Sequence, residues 1–251
     1  MKKFPLKEFL SVIKYPVLFM VICWALFLAD LSWNLDLYRF GISPRTASGL
    51  KGILFAPMIH GSWSHLINNT LPMLVLGSMI FYFYKPIAWQ VVLWIYFISC
   101  IWLWVGGRNF ENMVNYHFGA SILIYGFATF LFFSGIFRKH RQLMVISALV
   151  AFLYGSITYG IFPFDKSMSW EGHLFGAISG VLVAYNYRKE GPQAPEVKWP
   201  EEEVDLEAIY NEQLRQEAEF KKQQEELKRQ QENIHITYTF IPKDKEDNDK
   251  V

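Results

Sequence analysis

Apolar residues in this chain fall into six long runs, near 15–29, 65–84, 87–105, 118–137, 143–162 and 173–187, none of which contains Asp, Glu, Lys or Arg. Charge is confined to the junctions and the two ends. Each run holds about 15 to 20 residues, close to the ~20 that a helix needs to cross the hydrocarbon core of a bilayer. The pattern predicts an all-α membrane protein with six transmembrane helices over residues 1–190. A cytoplasmic tail, partly helical or disordered, is expected over 191–251. The lysines before the first run resemble the start of a signal peptide, but no small-x-small cleavage site precedes Asp30, so the run reads as a retained helix.

The junctions give the orientation. With the N-terminus inside, the inner segments hold Lys2, Lys3, Lys7, Lys14, Lys85, Arg138, Lys139, Arg141, Arg188 and Lys189, against Arg39, Arg45, Lys51, Arg108 and Lys166 outside. Both ends are then cytoplasmic, and the second, fourth and sixth helices start at the outer face and run inward. The long first junction, 31–61, is too polar to span and carries Trp33, Leu35, Leu37, Tyr38 and Phe40, a composition suited to the membrane interface. The third run, with Trp89, Trp94, Trp102 and Trp104, reads as scaffold with interfacial anchors. After Tyr187, Pro192, Pro195 and Pro200 mark a linker, 201–232 reads as a solvated charged helix, and the alternation over 234–240 suits one strand or the edge of a partner's sheet.

Composition narrows the function. A net charge of +1 makes no case for nucleic acid. Cys23 and Cys100 lie inside spans and read as small packing residues, not as a disulfide or metal pair. His60 and His65 are five apart, so on one helix they would point away from each other, and no glutamate stands between a histidine pair as zinc hydrolysis would need. No metal or cofactor is expected.

The polar residues that enter the spans from the outer face are more telling, because polar groups at that depth are costly and mark function by default. These are His65 and Asn69, four apart on one face; Ser121, between small residues and about 6 Å inside the fourth run if the helix begins with it; and His173, three residues before Gly176 on a small-xxx-small face completed by Gly180. The bland alternatives are packing for Gly119, Ala120 and Ser121, and interhelical bonding for His65 and Asn69. Topology lets all four polar side chains meet. Serine becomes a nucleophile when a base within hydrogen-bond reach takes its proton, and His173 is that base if its glycine face docks on the Gly119–Ser121 face. The Ser121 N–H, His65 and Asn69 would then stabilise an oxyanion. His117 suits a loop or cap contact better than a base. Glu171, two residues from His173, does not share its face, which argues against a triad.

The combined set His60-x4-His65-x3-Asn69, Gly119-x-Ser121-x3-Tyr125-Gly126 and Gly172-His173-x2-Gly176-x3-Gly180 resembles the rhomboid family of intramembrane serine proteases. The resemblance covers roughly residues 10–190 and leaves the tail out. It implies a Ser121/His173 dyad, an oxyanion site made by His65, Asn69 and the Ser121 N–H, and Tyr125 packed on the His173 ring. It also implies that 31–61 is the interfacial first loop, and that the fifth helix with loop 164–171 gates a substrate helix in a transmembrane protein. One departure stands out. The family usually places glycine after the nucleophile, where this chain has Ile122, and the expected effect is a narrower range of substrates. Three functions compete: the protease, a non-catalytic relative that binds and handles membrane helices, and a six-helix transporter. The last would require an internal repeat and charged midplane residues that the sequence lacks.

Overall fold

The computed structural model describes residues 6–109, 116–140, 144–145, 148–149, 152, 159–164, 169–191, 193, 206–232 and 239–240. Six long helices appear among them: α1 (Leu6–Trp33), α2 (Trp63–Phe83), α3 (Ala88–Gly106), α4 (Ser121–Phe137), α5 (Trp170–Asn186) and α6 (Leu206–Glu232). The chain divides into two units, Met1–Glu196 and Val197–Val251. The first holds α1–α5, and the second holds α6.

Three of these helices are long and apolar enough to cross a membrane, over Phe9–Trp33, Trp63–Phe83 and Ala88–Gly106. The shorter α4 is apolar along its length. Leu18, Val21, Ile67, Leu71, Leu93 and Trp94 are exposed on the outer faces of α1–α3. Such surfaces suit lipid and would be a liability in water. Of the fifth run, the described residues 144–145, 148–149, 152 and 159 are helical and 160–162 form a turn and bend; the rest of the run lies outside the described residues. So do residues 165–168 of the loop 164–171, the proline linker beyond 193 and residues 234–238.

Helix boundaries moved where local chemistry overrides hydropathy. The first helix runs from Leu6 through Lys14 and Pro16 to Trp33, well beyond the apolar run, because charged ends can reach past the bilayer core. The Ser62 side chain accepts the His65 N–H at 3.2 Å and starts α2 at Trp63. Ser169 does the same for α5 by accepting the Gly172 N–H at 3.3 Å. The serine helix begins at Ser121 itself, not at residue 118. Gly119 has φ 121°, a conformation open to glycine and closed to most side chains, and this turns the chain just before the helix.

The most extensive packing joins α4 to α5, and α5 also lies on α3. The two helices of the main pair run parallel and touch through glycine. A side chain at Gly176 would collide with the Ile122 carbonyl, and one at Gly180 with the Gly126 carbonyl and Thr129. Thr129 Oγ1 donates to the Ala177 carbonyl at 2.8 Å across this seam. Backbone-to-backbone approach of this kind is what small residues give membrane helices.

The first junction is folded, not loose. It forms short helical turns at Leu37–Phe40, Ser48–Lys51, Gly52–Phe55 and Ala56–Met58, of which Gly52–Phe55 lies against α3 and Ala56–Met58 against α1 and α4. Arg45 Nη1 donates to the carbonyls of Val105 and Gly107, at 3.0 and 2.7 Å, and Tyr96 Oη donates to the Leu54 carbonyl at 2.6 Å. Ile42 and His117 exchange two 2.8 Å backbone bonds, which ties this segment to the approach to α4.

Candidate active site

Three chain segments converge where α4 begins. His173, in the second turn of α5, places Nε2 2.9 Å from Ser121 Oγ. The Tyr125 ring, one turn below Ser121, stacks on the His173 imidazole with centroids 4.2 Å apart and planes 6° from parallel. The other ring nitrogen, Nδ1, lies 2.9 Å from the Gly160 carbonyl. A carbonyl only accepts, so Nδ1 carries the proton and Nε2 is left as an acceptor for the serine hydroxyl. The pair therefore has the geometry and tautomer that proton removal from Ser121 needs.

His65 and Asn69 approach the same place from α2. The His65 ring lies against Gly119, where any side chain would strike its Cε1 and Nε2 atoms. Gly119 thus has two reasons to be glycine. Asn69 is 7% exposed, and its Nδ2 donates to His60 Nε2 at 3.1 Å. One of its two amide hydrogens is used there, and the second is available to another acceptor.

His60 is the residue that helical spacing misjudged. The expectation that it points away from His65 assumed a common helix, but the Ser62 cap starts α2 only at Trp63 and leaves His60 in the preceding turn. The two rings lie 5.0 Å apart. His60 is 2% exposed; its Nδ1 faces the Met58 carbonyl at 3.3 Å, and its Nε2 also receives the Ala120 N–H at 3.4 Å. It joins Asn69 to the backbone beside Ser121. The cap motif around Ser62 was the signal that could have placed it.

A second polar group braces the rim of the site. His117 Nδ1 is 2.6 Å from Ser169 Oγ, the cap of α5, and its Nε2 is 3.1 Å from the Arg108 carbonyl. Burial holds the His117 imidazole below its ordinary pKa; the hydrogen bond to the Arg108 carbonyl and the Glu171 carboxylate oppose that effect, and the Arg108 charge adds to it. Glu171 is 3% exposed and forms an ion pair with Arg108, while His173 Nδ1 is directed to Gly160. Among the described residues, no three His, Cys, Asp or Glu side chains group as metal ligands would.

Beside Ser121 and His173 lies a small cavity, walled in part by Ile42, Ala56, Cys100, Leu103 and Ile122. Ile122 is itself 5% exposed. The space next to the hydroxyl is mostly apolar, with His117 and Ser169 also on its wall, while Ser121 and His173 remain half-buried.

Residues 47–190 match the Rhomboid domain family. Uncharacterized proteins of Mycobacterium bovis and Mycobacterium tuberculosis are each 39% identical to this chain over 150 residues, covering 58% of it and 62% of their own length. An uncharacterized protein of Mycobacterium leprae is 37% identical over 172 residues, covering 66% of this chain and 68% of the relative. The chain thus spans about three fifths of the length of the first of these relatives. With the family match covering more than half of the chain, and the apolar helices α1–α3 able to cross a bilayer, this protein is an integral membrane member of the rhomboid family.

Proposed function

We propose that this chain is an intramembrane serine endopeptidase that hydrolyses peptide bonds in or near the transmembrane segments of other proteins. The observation that carries this reading is the 2.9 Å contact between His173 Nε2 and Ser121 Oγ, with His173 stacked on Tyr125. As Ser121 Oγ bonds to the substrate carbonyl carbon, its proton passes to His173 Nε2 and the carbonyl oxygen becomes an oxyanion. The free hydrogen of Asn69, the His65 ring and the Ser121 N–H supply donors toward that charge, in surroundings of low dielectric where such donors act most strongly. The imidazolium returns its proton to the leaving amine as the C–N bond breaks. Water then attacks the acyl-enzyme with His173 again as base, which releases the acid and frees Ser121.

The same reading gives the core six spans with both termini in the cytoplasm, in a bacterial plasma membrane, as the mycobacterial relatives favour. A substrate helix must unwind locally to offer its carbonyls, which intact helices hold in hydrogen bonds. Ile122 narrows the range of residues accepted next to the reacting carbonyl. The tail, 191–251, is a separate cytoplasmic part, and 234–240 is where a partner would add to it.

Reaction with a fluorophosphonate tests the proposal. The wild-type chain should be labelled at Ser121 and should cut a helical membrane substrate, and Ser121→Ala should do neither. Binding of membrane helices without labelling or cleavage would instead establish a non-catalytic role. Removal of all residues after Lys189 should leave cleavage in detergent intact.

A further inference from the structure

The carbonyl that faces His173 Nδ1 belongs to neither helix of the Ser121/His173 pair. It comes from Gly160, in the described segment 159–164 at the end of the fifth apolar run. Tyr125, stacked on the imidazole, is itself hydrogen-bonded with the Gly160 backbone. One residue without a side chain therefore meets both rings of the stack through its peptide groups. The segment is also folded on itself. Phe162 N–H donates to the Tyr159 carbonyl at 3.2 Å and Phe164 N–H to the Phe162 carbonyl at 2.9 Å, while the Tyr159 and Phe164 rings lie 4.9 Å apart. It behaves as a small unit whose position decides where the Gly160 carbonyl lies.

A neutral imidazole carries one proton, and the partner of one nitrogen sets the chemistry of the other. With the proton on Nδ1, Nε2 can accept from Ser121. With it on Nε2, the ring can only donate toward the hydroxyl, and the pair is idle as a nucleophile and base. In water-soluble hydrolases a buried carboxylate performs this selection. Here the buried carboxylate nearest in sequence, Glu171, is engaged by Arg108. The tautomer is left to a backbone carbonyl.

We propose that Gly160 is a positioning residue for the reaction: its carbonyl holds His173 in the Nδ1–H form, so the pair is competent only while segment 159–164 sits against the Tyr125–His173 stack. This rests on the protease reading above. Nothing in it requires Gly160 to touch the substrate. A displacement of the segment would disable the base without moving α4 or α5, whose glycine seam lies elsewhere.

Backbone ester substitution in the full chain tests this directly. Replacing Ile161 by its α-hydroxy acid turns the Gly160 carbonyl into that of an ester, a weaker acceptor, and leaves every side chain in place. Replacing Gly160 by glycolate removes the N–H that meets Tyr125 but keeps the amide carbonyl, and so reads the Tyr125 contact separately from the His173 one. The Ile161 ester should lower fluorophosphonate labelling and kcat roughly tenfold with little change in KM, and the Gly160 ester should change them less than about threefold. The 15N signals of His173, identified by their loss in His173→Asn, should report protonated Nδ1 in the wild type and a mixture of tautomers in the Ile161 ester. Equal effects of the two esters would overturn the proposal, as would protonated Nε2 in the wild type or an unchanged tautomer in the Ile161 ester. The 15N arm decides the role of Gly160 even for a chain that neither labels nor cleaves, an outcome that would defeat only the protease reading.

Discussion

The parallel helices α4 and α5 meet at both ends, and the two meetings are built on opposite principles. At the end where both helices begin, the outer one in the orientation proposed above, a hydroxyl and an imidazole share one 2.9 Å contact and stay half-buried beside a small cavity. At the inner end Arg138, just past α4, is 3% exposed. Its guanidinium donates to the carbonyls of Tyr187 and Glu190 and to Ser134, with the Tyr84 ring 5.3 Å away. Ser134 in turn bonds Tyr84 Oη at 2.7 Å. A cation at the C-terminal end of α5 meets the negative end of the helix dipole, and four of its five N–H groups are taken up by the two carbonyls and the Ser134 hydroxyl. The inner end spends most of its donors on holding the helices; the outer end keeps polar capacity in reserve. Chemistry needs the second arrangement, because a group with all its partners in place has nothing left to offer a substrate.

The sharpest way to break this comparison is to empty the outer end. Ser121→Ala and His173→Ala should each lower turnover by at least about 10⁴, and the double variant should be no worse than either, because the two act as one unit. Cleavage of a helical substrate by the three proteins checks this, and additive losses would count against a shared role. Next comes Asn69→Ala. Loss of one oxyanion donor should cost on the order of 10² to 10³ in kcat while the serine still reacts with a small fluorophosphonate.

The inner end should respond in a different quantity. Arg138→Met removes the donors to the Tyr187 and Glu190 carbonyls and should lower unfolding stability by about 1–3 kcal/mol, with kcat per folded molecule retained. Denaturation in detergent with parallel active-site titration separates the two effects. A turnover defect as large as that of Asn69→Ala would erase the distinction between the ends.

Two smaller effects refine the outer rim. Glu171→Gln weakens a pair whose arginine side chain is 42% exposed, so activity should stay within about fivefold of wild type. A loss near that of His173→Ala would show that the carboxylate serves the imidazole after all. For His117 the sign follows from its depressed folded value. As pH falls below about 6.5, the unfolded chain takes up a proton that the buried ring resists, so folding stability should decline from about pH 7 toward pH 5. His117→Gln should flatten that slope, as thermal unfolding across the range would reveal.

Hydropathy and spacing already contained much of this. Runs of apolar residues mark helices because the bilayer leaves the backbone no alternative. Side-chain faces four apart placed His65 beside Asn69, and the Gly176/Gly180 spacing marked a surface for close approach. Those features are local, and a linear pattern can carry them.

Only the folded chain decided the rest. It started α4 at Ser121 through the φ of Gly119, and left His60 outside α2 so that it could join Asn69 to Ala120. It paired Glu171 with Arg108 across 63 positions and turned the Gly160 carbonyl to His173 Nδ1. In each case the deciding group is a backbone N–H or carbonyl, a dihedral angle, or a partner distant in sequence. Sequence names side chains and their periodicity; peptide groups are the same at every position, and tertiary structure alone determines which of them is brought to a site.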